Sequence, residues 1–324
     1  MIRTGVIGGS GYTGGELIRI LLGHPEVRLD FVFSSTRAGK PLHQAHPDLL
    51  GRTELCFTDQ ADPEVDVVFL CLGHGNSGKF LSNMTFNKKT RVIDLSNEFR
   101  LEGHTSFRDR EFVYGLPEYQ KAAIRDAKNI ANPGCFATAL QLALLPLASK
   151  GRLSNSVHLN AITGSTGAGA GLSETTHFSW RNNNQSWYKP FTHQHLGEVL
   201  QSLETLQQER PELLFLPLRG NFSRGIFATA YTRFDGSLEE AKALYASYYQ
   251  DARFTMLTDN PPSLKQVVNT NAAHLHLHKH EQTLLVTSVI DNLLKGASGQ
   301  AVQNMNLMFG IPEDTGLELK GIGF

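Results

Sequence analysis

The chain has 324 residues, 40% of them hydrophobic and 19% charged, with a formal net charge of -1. Near-zero charge offers no electrostatic ground for binding nucleic acid or an anionic membrane, which leaves a small molecule as the expected partner. The opening MIRTGVIGGSG has no basic segment followed by a long apolar one, and no later run approaches the ~18 apolar residues of a membrane helix, so a cytoplasmic protein is expected.

In chain order, short apolar runs alternate with helical patterns through the first half. Strands are predicted at Thr4–Gly8, Leu29–Phe33, Val65–Cys71 and Arg91–Leu95, with helices from about Gly14 to Leu22 and after Pro133. That alternation implies a parallel sheet covered on both faces. From about Ser156 the runs lengthen and alternate, at Val157–Thr163, Gly225–Arg233 and Leu284–Ile290, as in an α+β domain with an antiparallel sheet. Long strands of that kind suit a sheet-mediated homo-oligomer, a dimer or tetramer. Ala301, Val302, Met305, Met308 and Phe309 then repeat at helical spacing.

The stretch GVIGGSGYTGGELIRILL, residues 5 to 22, is a buried strand, a glycine-rich turn and a helix. Gly9, Gly11 and Gly14 satisfy G-x-G-x-x-G, and Gly8, Gly11 and Gly14 satisfy a wider variant. Such a turn lets backbone amides and the helix dipole approach a pyrophosphate. Gly8, Ser10, Gly11, Tyr12, Thr13 and Gly14 are therefore cofactor-binding candidates. Asp30 stands at the beginning of the second strand, whereas an NAD-binding carboxylate belongs at its end; Ser34, Ser35, Arg37 and Lys40 occupy that end instead, which suits the 2′-phosphate of NADP(H). The chain is thus read as a Rossmann-type α/β domain over 1–134, completed by a C-terminal helix within 295–324. An α+β catalytic, substrate and oligomerisation domain covers 135–294.

Cys56, Cys71 and Cys135 form no CxxC pair, so neither a disulfide framework nor a zinc site is suggested. Cys56 and Cys71 read as small buried hydrophobes. Cys135 differs: in ANPGCFAT, Asn132 suits an N-cap and Pro133 the first helical position, which puts Cys135 in a first turn whose amides favour thiolate. A thiolate needs a proton-transfer partner, and YKPFTHQHLGE supplies His193, His195 and Glu198, with spacing alone leaving the two histidines unranked. No third ligand of suitable spacing joins them, so no metal is expected. His274, His276, His278 and His280 alternate as one polar strand face. Arg100, Arg224 and the amide-rich TGSTGAGAG are candidates for gripping an anion.

With these pieces in place, the chain resembles the N-acetyl-γ-glutamyl-phosphate reductases, relatives of aspartate-semialdehyde dehydrogenase. The resemblance runs end to end, through GGSGYTGGEL, RAGKPL, DLSNEFR, YGLPE, NPGCFATA, HQHLGE, SRGIFAT and DNLLKGASGQAVQNMN. It implies NADPH-dependent reduction of an acyl phosphate to a semialdehyde through a Cys135 thioester, in arginine biosynthesis, with His195 shuttling the proton and His193 and Glu198 positioning it. It also implies substrate contacts from Ser96, Arg100, Asn132, Gly167 and Arg224, and an approach of Asn292, Lys295 and Gly296 to the nicotinamide. Ala170, Gly197 and Asn221-Phe222-Ser223, with Arg219 just upstream, depart from the family pattern in loops expected to line the substrate pocket. An N-succinyl-glutamyl phosphate, or an aminoadipyl phosphate, is accordingly an alternative substrate. A non-catalytic NADP-binding redox sensor is the alternative of another class.

Overall fold

A computed structural model describes residues 1–323. It divides into two compact units, one of Met1–Pro133 with Ala297–Glu318, the other of Gly134–Gly296 with the segment from Leu319.

The first unit opens with β1 (Ile2–Ile7), α1 (Tyr12–Gly23), β2 (Val27–Phe33), β3 (Phe57–Thr58), β4 (Val67–Leu70) and α2 (Ser77–Asn83). β5 (Arg91–Asp94), β6 (Ser106–Phe107), β7 (Arg110–Tyr114), α3 (Pro117–Asp126) and β8 (Asn129–Ala131) follow. The sheet order is β3-β2-β1-β4-β5-β8-β7-β6, parallel except for the β6–β7 pair. β4 reads VVFL, and all four of its residues are fully buried, as a central strand covered on both faces requires. Ile7, Phe31, Val68, Leu70, Val92 and Ala131 meet in one core. β3 is an edge strand, and the pleat that buries Phe57 turns Cys56 outward, so Cys56 is exposed rather than the buried hydrophobe expected.

The second unit contains α4 (Cys135–Ala148), β9 (Val157–Thr163), α5 (Phe178–Arg181), β10 (Ser186–Trp187), α6 (His195–Gln207) and β11 (Leu213–Arg219). It continues through β12 (Ile226–Arg233), α7 (Leu238–Tyr248), β13 (Thr255–Leu257), α8 (Leu264–Val267), β14 (Ala273–His280) and β15 (Thr283–Ile290). The sheet, β10-β11-β9-β12-β15-β14-β13, is mixed where an antiparallel one was expected. Its β9–β11 and β13–β14 pairs are parallel because a helix, α6 or α8, lies between the paired strands and returns the chain in the same direction.

α4 is apolar all round and packs against α6, α7, β12 and β15. Pro146 within it has no N–H for the Leu142 carbonyl, and the Tyr249 hydroxyl donates to that carbonyl at 2.6 Å instead. After β15 the chain makes a π-helical turn at Leu294–Ser298 and then α9 (Gly299–Met308), which packs on α1 and α3 of the first unit. The expected helix over 295–324 is therefore shorter. Gly310, at φ 69°, closes α9 with its N–H donating to the Leu307 carbonyl while Ile311 N–H donates to that of Asn306, and Pro312 follows.

Candidate active site

In the first unit the candidate residues gather at the carboxyl ends of parallel strands, the edge at which open α/β sheets bind ligands. Gly8 leaves β1 at φ 80°, and a Cβ there would lie 2.6 Å from the Cys71 carbonyl oxygen. α1 begins at Gly11, its N-cap, with no side-chain cap and no acidic residue in the first turn. A Cβ on Gly11 would meet nothing within 4 Å, so neither strain nor crowding calls for glycine there. Space in front of free helix amides is what a pyrophosphate needs, and this loop fits a dinucleotide. Tyr12 is partly exposed beside it, and the Thr13 carbonyl accepts from Ser298 Oγ at 2.8 Å. Beyond β2, Ser34 is buried and Ser35 and Lys40 are exposed. The Asp30 carboxylate is taken by Arg3 at 2.7 Å and Arg28 at 2.6 Å.

Ser96, Arg100 and Asn132 lie past the ends of β5 and β8, and each has polar atoms bound to protein partners. Ser96 Oγ donates to Asp94 at 2.7 Å, beside Ser77 Oγ at 2.6 Å, and burial pushes that carboxyl above its ordinary pKa. Arg100 donates to the carbonyls of Asn132 and Leu95 at 2.8 and 3.0 Å. Asn132 is not the cap of α4: its side-chain amide donates to the Ala297 carbonyl at 3.1 Å, and its side-chain oxygen accepts from Asn304 at 3.1 Å. Gly134 is the N-cap, extended at φ -70° and ψ 150°, and Cys135 is the first helical residue.

In the second unit Cys135, His193, His195 and Glu198 come together. His195 and Glu198 occupy the first turn of α6, which packs along α4. Glu198 is buried; its Oε2 accepts from the Gly134 N–H at 2.9 Å, and its Oε1 lies 4.0 Å from His195 Nε2. This carboxylate supplies from a distant helix the N-terminal cap that the α4 sequence lacks. A Cβ on Gly134 would stand 2.4 Å from His195 Nε2, so only glycine lets that ring lie against the turn that carries the cysteine. Gly296, from the π-helical turn, packs on the other side: a Cβ there would be 2.8 Å from that of Cys135.

The structure separates the two histidines. His193 Nδ1 accepts from the His195 backbone N–H at 3.2 Å, which puts the proton of the neutral ring on Nε2. Its ring is packed edge-to-face among Phe136, Tyr188, Phe215 and His195, and burial, helped by the nearby Lys189 ammonium, lowers its pKa to about 4. Lys189 and Phe191 lead into it with left-handed φ values of 44° and 61°. They are held there because Tyr188 and Phe191 donate backbone N–H bonds to Pro217 and Phe215 of β11, at 3.1 and 2.8 Å.

Gly167, Arg224, Asn292 and Lys295 form another group in the same unit. Asn292 accepts from Gly225 N–H at 2.7 Å and donates to Thr166 Oγ1 at 3.0 Å, which ties the exposed Gly167 turn to the strand ends. Arg224 donates to Asp291 at 3.0 Å. Lys295 is fully buried, with its ammonium 5.9 Å from the Phe254 ring centre. Sequence reasoning missed Asp291, which also accepts backbone N–H groups from Asn269, Leu293 and Leu294 at 2.7 to 3.2 Å and so shapes the turn ending in Gly296. A carboxylate inside the apolar run SVIDNLL was the available signal, since a buried charge must be paired. Tyr188 was missed as well, and no motif announces it. Among the described residues no three His, Cys, Asp or Glu side chains are grouped to hold a metal ion, and no helix is long and apolar enough to cross a membrane.

A glycine-turn nucleotide site in one unit and a cysteine–histidine–glutamate cluster in the other define the semialdehyde dehydrogenase class. Family models agree: "Semialdehyde dehydrogenase, NAD binding domain" matches residues 3–127 and "Semialdehyde dehydrogenase, dimerisation domain" residues 135–292. Among solved structures, aspartate semialdehyde dehydrogenase II from Vibrio cholerae superposes with a TM-score of 0.71, covering 96% of this chain and 99% of that one, at 15% identity. The Candida albicans aspartate semialdehyde dehydrogenase crystallised with NADP gives 0.68 over 95% and 99%, at 16% identity; both likenesses concern the fold. Curated relatives are far closer. Proteins named N-acetyl-gamma-glutamyl-phosphate reductase from Christiangramia forsetii and Flavobacterium johnsoniae are 60% and 59% identical, over 99% and 100% of both chains. The chain belongs to the N-acetyl-γ-glutamyl-phosphate reductase family.

Proposed function

We propose that the protein reduces N-acetyl-γ-glutamyl phosphate to N-acetylglutamate semialdehyde and phosphate, using NADPH, in the cytoplasm and as a homo-oligomer assembled through its second unit. The observation that carries this reading is Cys135 at the first position of α4, with His195 against Gly134 and Glu198 capping the same turn. The Cys135 thiolate attacks the γ-carbonyl carbon, the acyl–oxygen bond breaks, and phosphate departs to leave a thioester. NADPH, when bound, supplies the hydride that converts the thioester to a thiohemiacetal. His195 gives the proton to the oxyanion and takes it back as the carbon–sulfur bond breaks, which releases the semialdehyde and restores the thiolate.

Gly8, Ser10, Gly11, Tyr12, Thr13 and Gly14 would hold the pyrophosphate of the cofactor. Ser34, Ser35 and Arg37 would hold its 2′-phosphate, an assignment favoured by the engagement of Asp30 with two arginines. Asn292, Lys295 and Gly296 would approach the nicotinamide, from the turn beside Cys135. Ser96, Arg100, Asn132, Gly167 and Arg224 would contact the substrate.

The test is the reverse reaction. Semialdehyde plus phosphate should generate NADPH, NAD should serve at least tenfold less well, and Cys135→Ala should lose about 1,000-fold or more of the activity while still binding NADPH. Phosphate-independent turnover, or activity retained without the thiol, would sink the mechanism.

A further inference from the structure

Two arginines of the second unit take no part in these steps. Arg181, the last residue of α5, is 8% exposed; its Nη2 donates to the Thr163 carbonyl at 3.1 Å, and its buried Nε has no hydrogen-bond partner. Arg219, the last residue of β11, is in register with Thr163 on β9 and with Ser186 on β10. The next N–H, from Gly220, donates to that same Thr163 carbonyl at 2.9 Å. The two guanidinium groups are near enough for the charge of Arg219 to act on Arg181, and among the described residues neither is in an ion pair with a carboxylate. Burial, and then the charge of Arg219, pull the Arg181 guanidinium below its ordinary pKa. A buried guanidinium beside a like charge is costly unless an anion arrives from outside the chain.

The pair lies on the wall of the catalytic cluster. The Arg219 guanidinium carbon is 4.0 Å from the centre of the Tyr188 ring, which meets His193 edge-to-face at 5.6 Å, and His193 meets His195 at 4.7 Å. Tyr188 is itself close enough to Cys135 that the thiolate charge adds to burial in raising its hydroxyl pKa. One aromatic ring thus separates the arginine pair from the reacting side chains. That separation suits a substrate whose acyl phosphate is at the thiol and whose distal end carries negative charge, because a planar guanidinium grips a carboxylate through two parallel hydrogen bonds.

We propose that Arg181 and Arg219 form a carboxylate subsite of the substrate pocket, holding the end of the acyl-phosphate substrate remote from the reacting carbonyl. The proposal rests on the reductase reading above. Two sources share this chemistry: the α-carboxylate of the glutamyl group, and the terminal carboxylate of a dicarboxylic N-acyl group such as succinyl.

Calorimetric titration of the full-length protein with N-acetylglutamate, N-succinylglutamate and the α-amide of N-acetylglutamate separates them. Arg219→Gln, at a half-exposed position, should weaken binding about tenfold or more wherever the recognised carboxylate is present, the scale of one charge-assisted contact. Losses for both N-acylglutamates with the α-amide spared identify the α-carboxylate; a loss confined to N-succinylglutamate identifies the acyl carboxylate. In the reverse assay KM should rise by a similar factor with kcat nearly unchanged, and Arg181→Lys should keep part of the affinity that Arg181→Gln loses. Unaltered titrations for all three probes, or a fall in kcat with KM unmoved, would overturn the subsite. Absence of phosphate-dependent turnover in the wild type, with the titration losses intact, would instead overturn the reductase reading.

Discussion

α1 and α4 begin in the same way. Each has glycine as its N-cap, no side-chain cap of its own and no acid in the first turn. What stands opposite differs. In front of Gly11 there is open space, whereas at Gly134 a buried carboxylate from α6 accepts the N–H at 2.9 Å and a histidine ring fills the room a Cβ would take. One helix end is open, and the other is closed by the protein and carries the thiol. The same local device is left open or is closed according to what tertiary packing places before the amides.

Substitutions at the two ends should separate these roles. Glu198→Gln keeps an oxygen for the Gly134 N–H and removes only the charge near His195, so kcat should fall about 10- to 100-fold with the melting temperature nearly unchanged. A large stability loss would make Glu198 chiefly a cap. At the open end, Gly11→Ala should fold like the wild type and bind NADPH roughly tenfold more weakly in a fluorescence titration, because the new methyl enters the pyrophosphate's space. Gly14→Ala should behave differently, since its Cβ would meet Gly9 Cα at 2.7 Å and Gly8 O at 2.8 Å. It should cost about 1 to 3 kcal/mol in denaturant unfolding. If the two variants behave alike, Gly11 is not a ligand-facing position.

A smaller effect concerns pH. The unfolded chain protonates this histidine near pH 6.5, while the folded one holds His193 neutral down to about pH 4. Its contribution is therefore full above pH 6.5 and is lost as pH falls through 4, on the order of 3 kcal/mol in all. Melting curves between pH 7 and 4 should show that slope for the wild type and a flatter one for His193→Asn, which keeps an acceptor for the His195 N–H.

The nucleotide site was legible because its parts are contiguous: strand, glycines and helix follow within residues 5 to 22, and spacing alone conveys the turn. Cys135 was legible for the same reason, although the cap fell on Gly134 because Asn132 spends its side chain on Ala297 and Asn304. The partners of the thiol were visible as residue types but not as roles. Only the packing of α6 along α4 put Glu198 on the Gly134 amide, and no spacing along the chain encodes that.

By itself the sequence determined the two architectures, the glycine turn and a cysteine in the first turn of a helix, since these follow from periodicity, from a missing Cβ and from position at a helix start. Tertiary structure alone decided which histidine lies against Gly134, which carboxylate caps that helix, and that Arg181 comes near Arg219. Those relations join residues tens of positions apart, and they exist only once burial has brought the elements together.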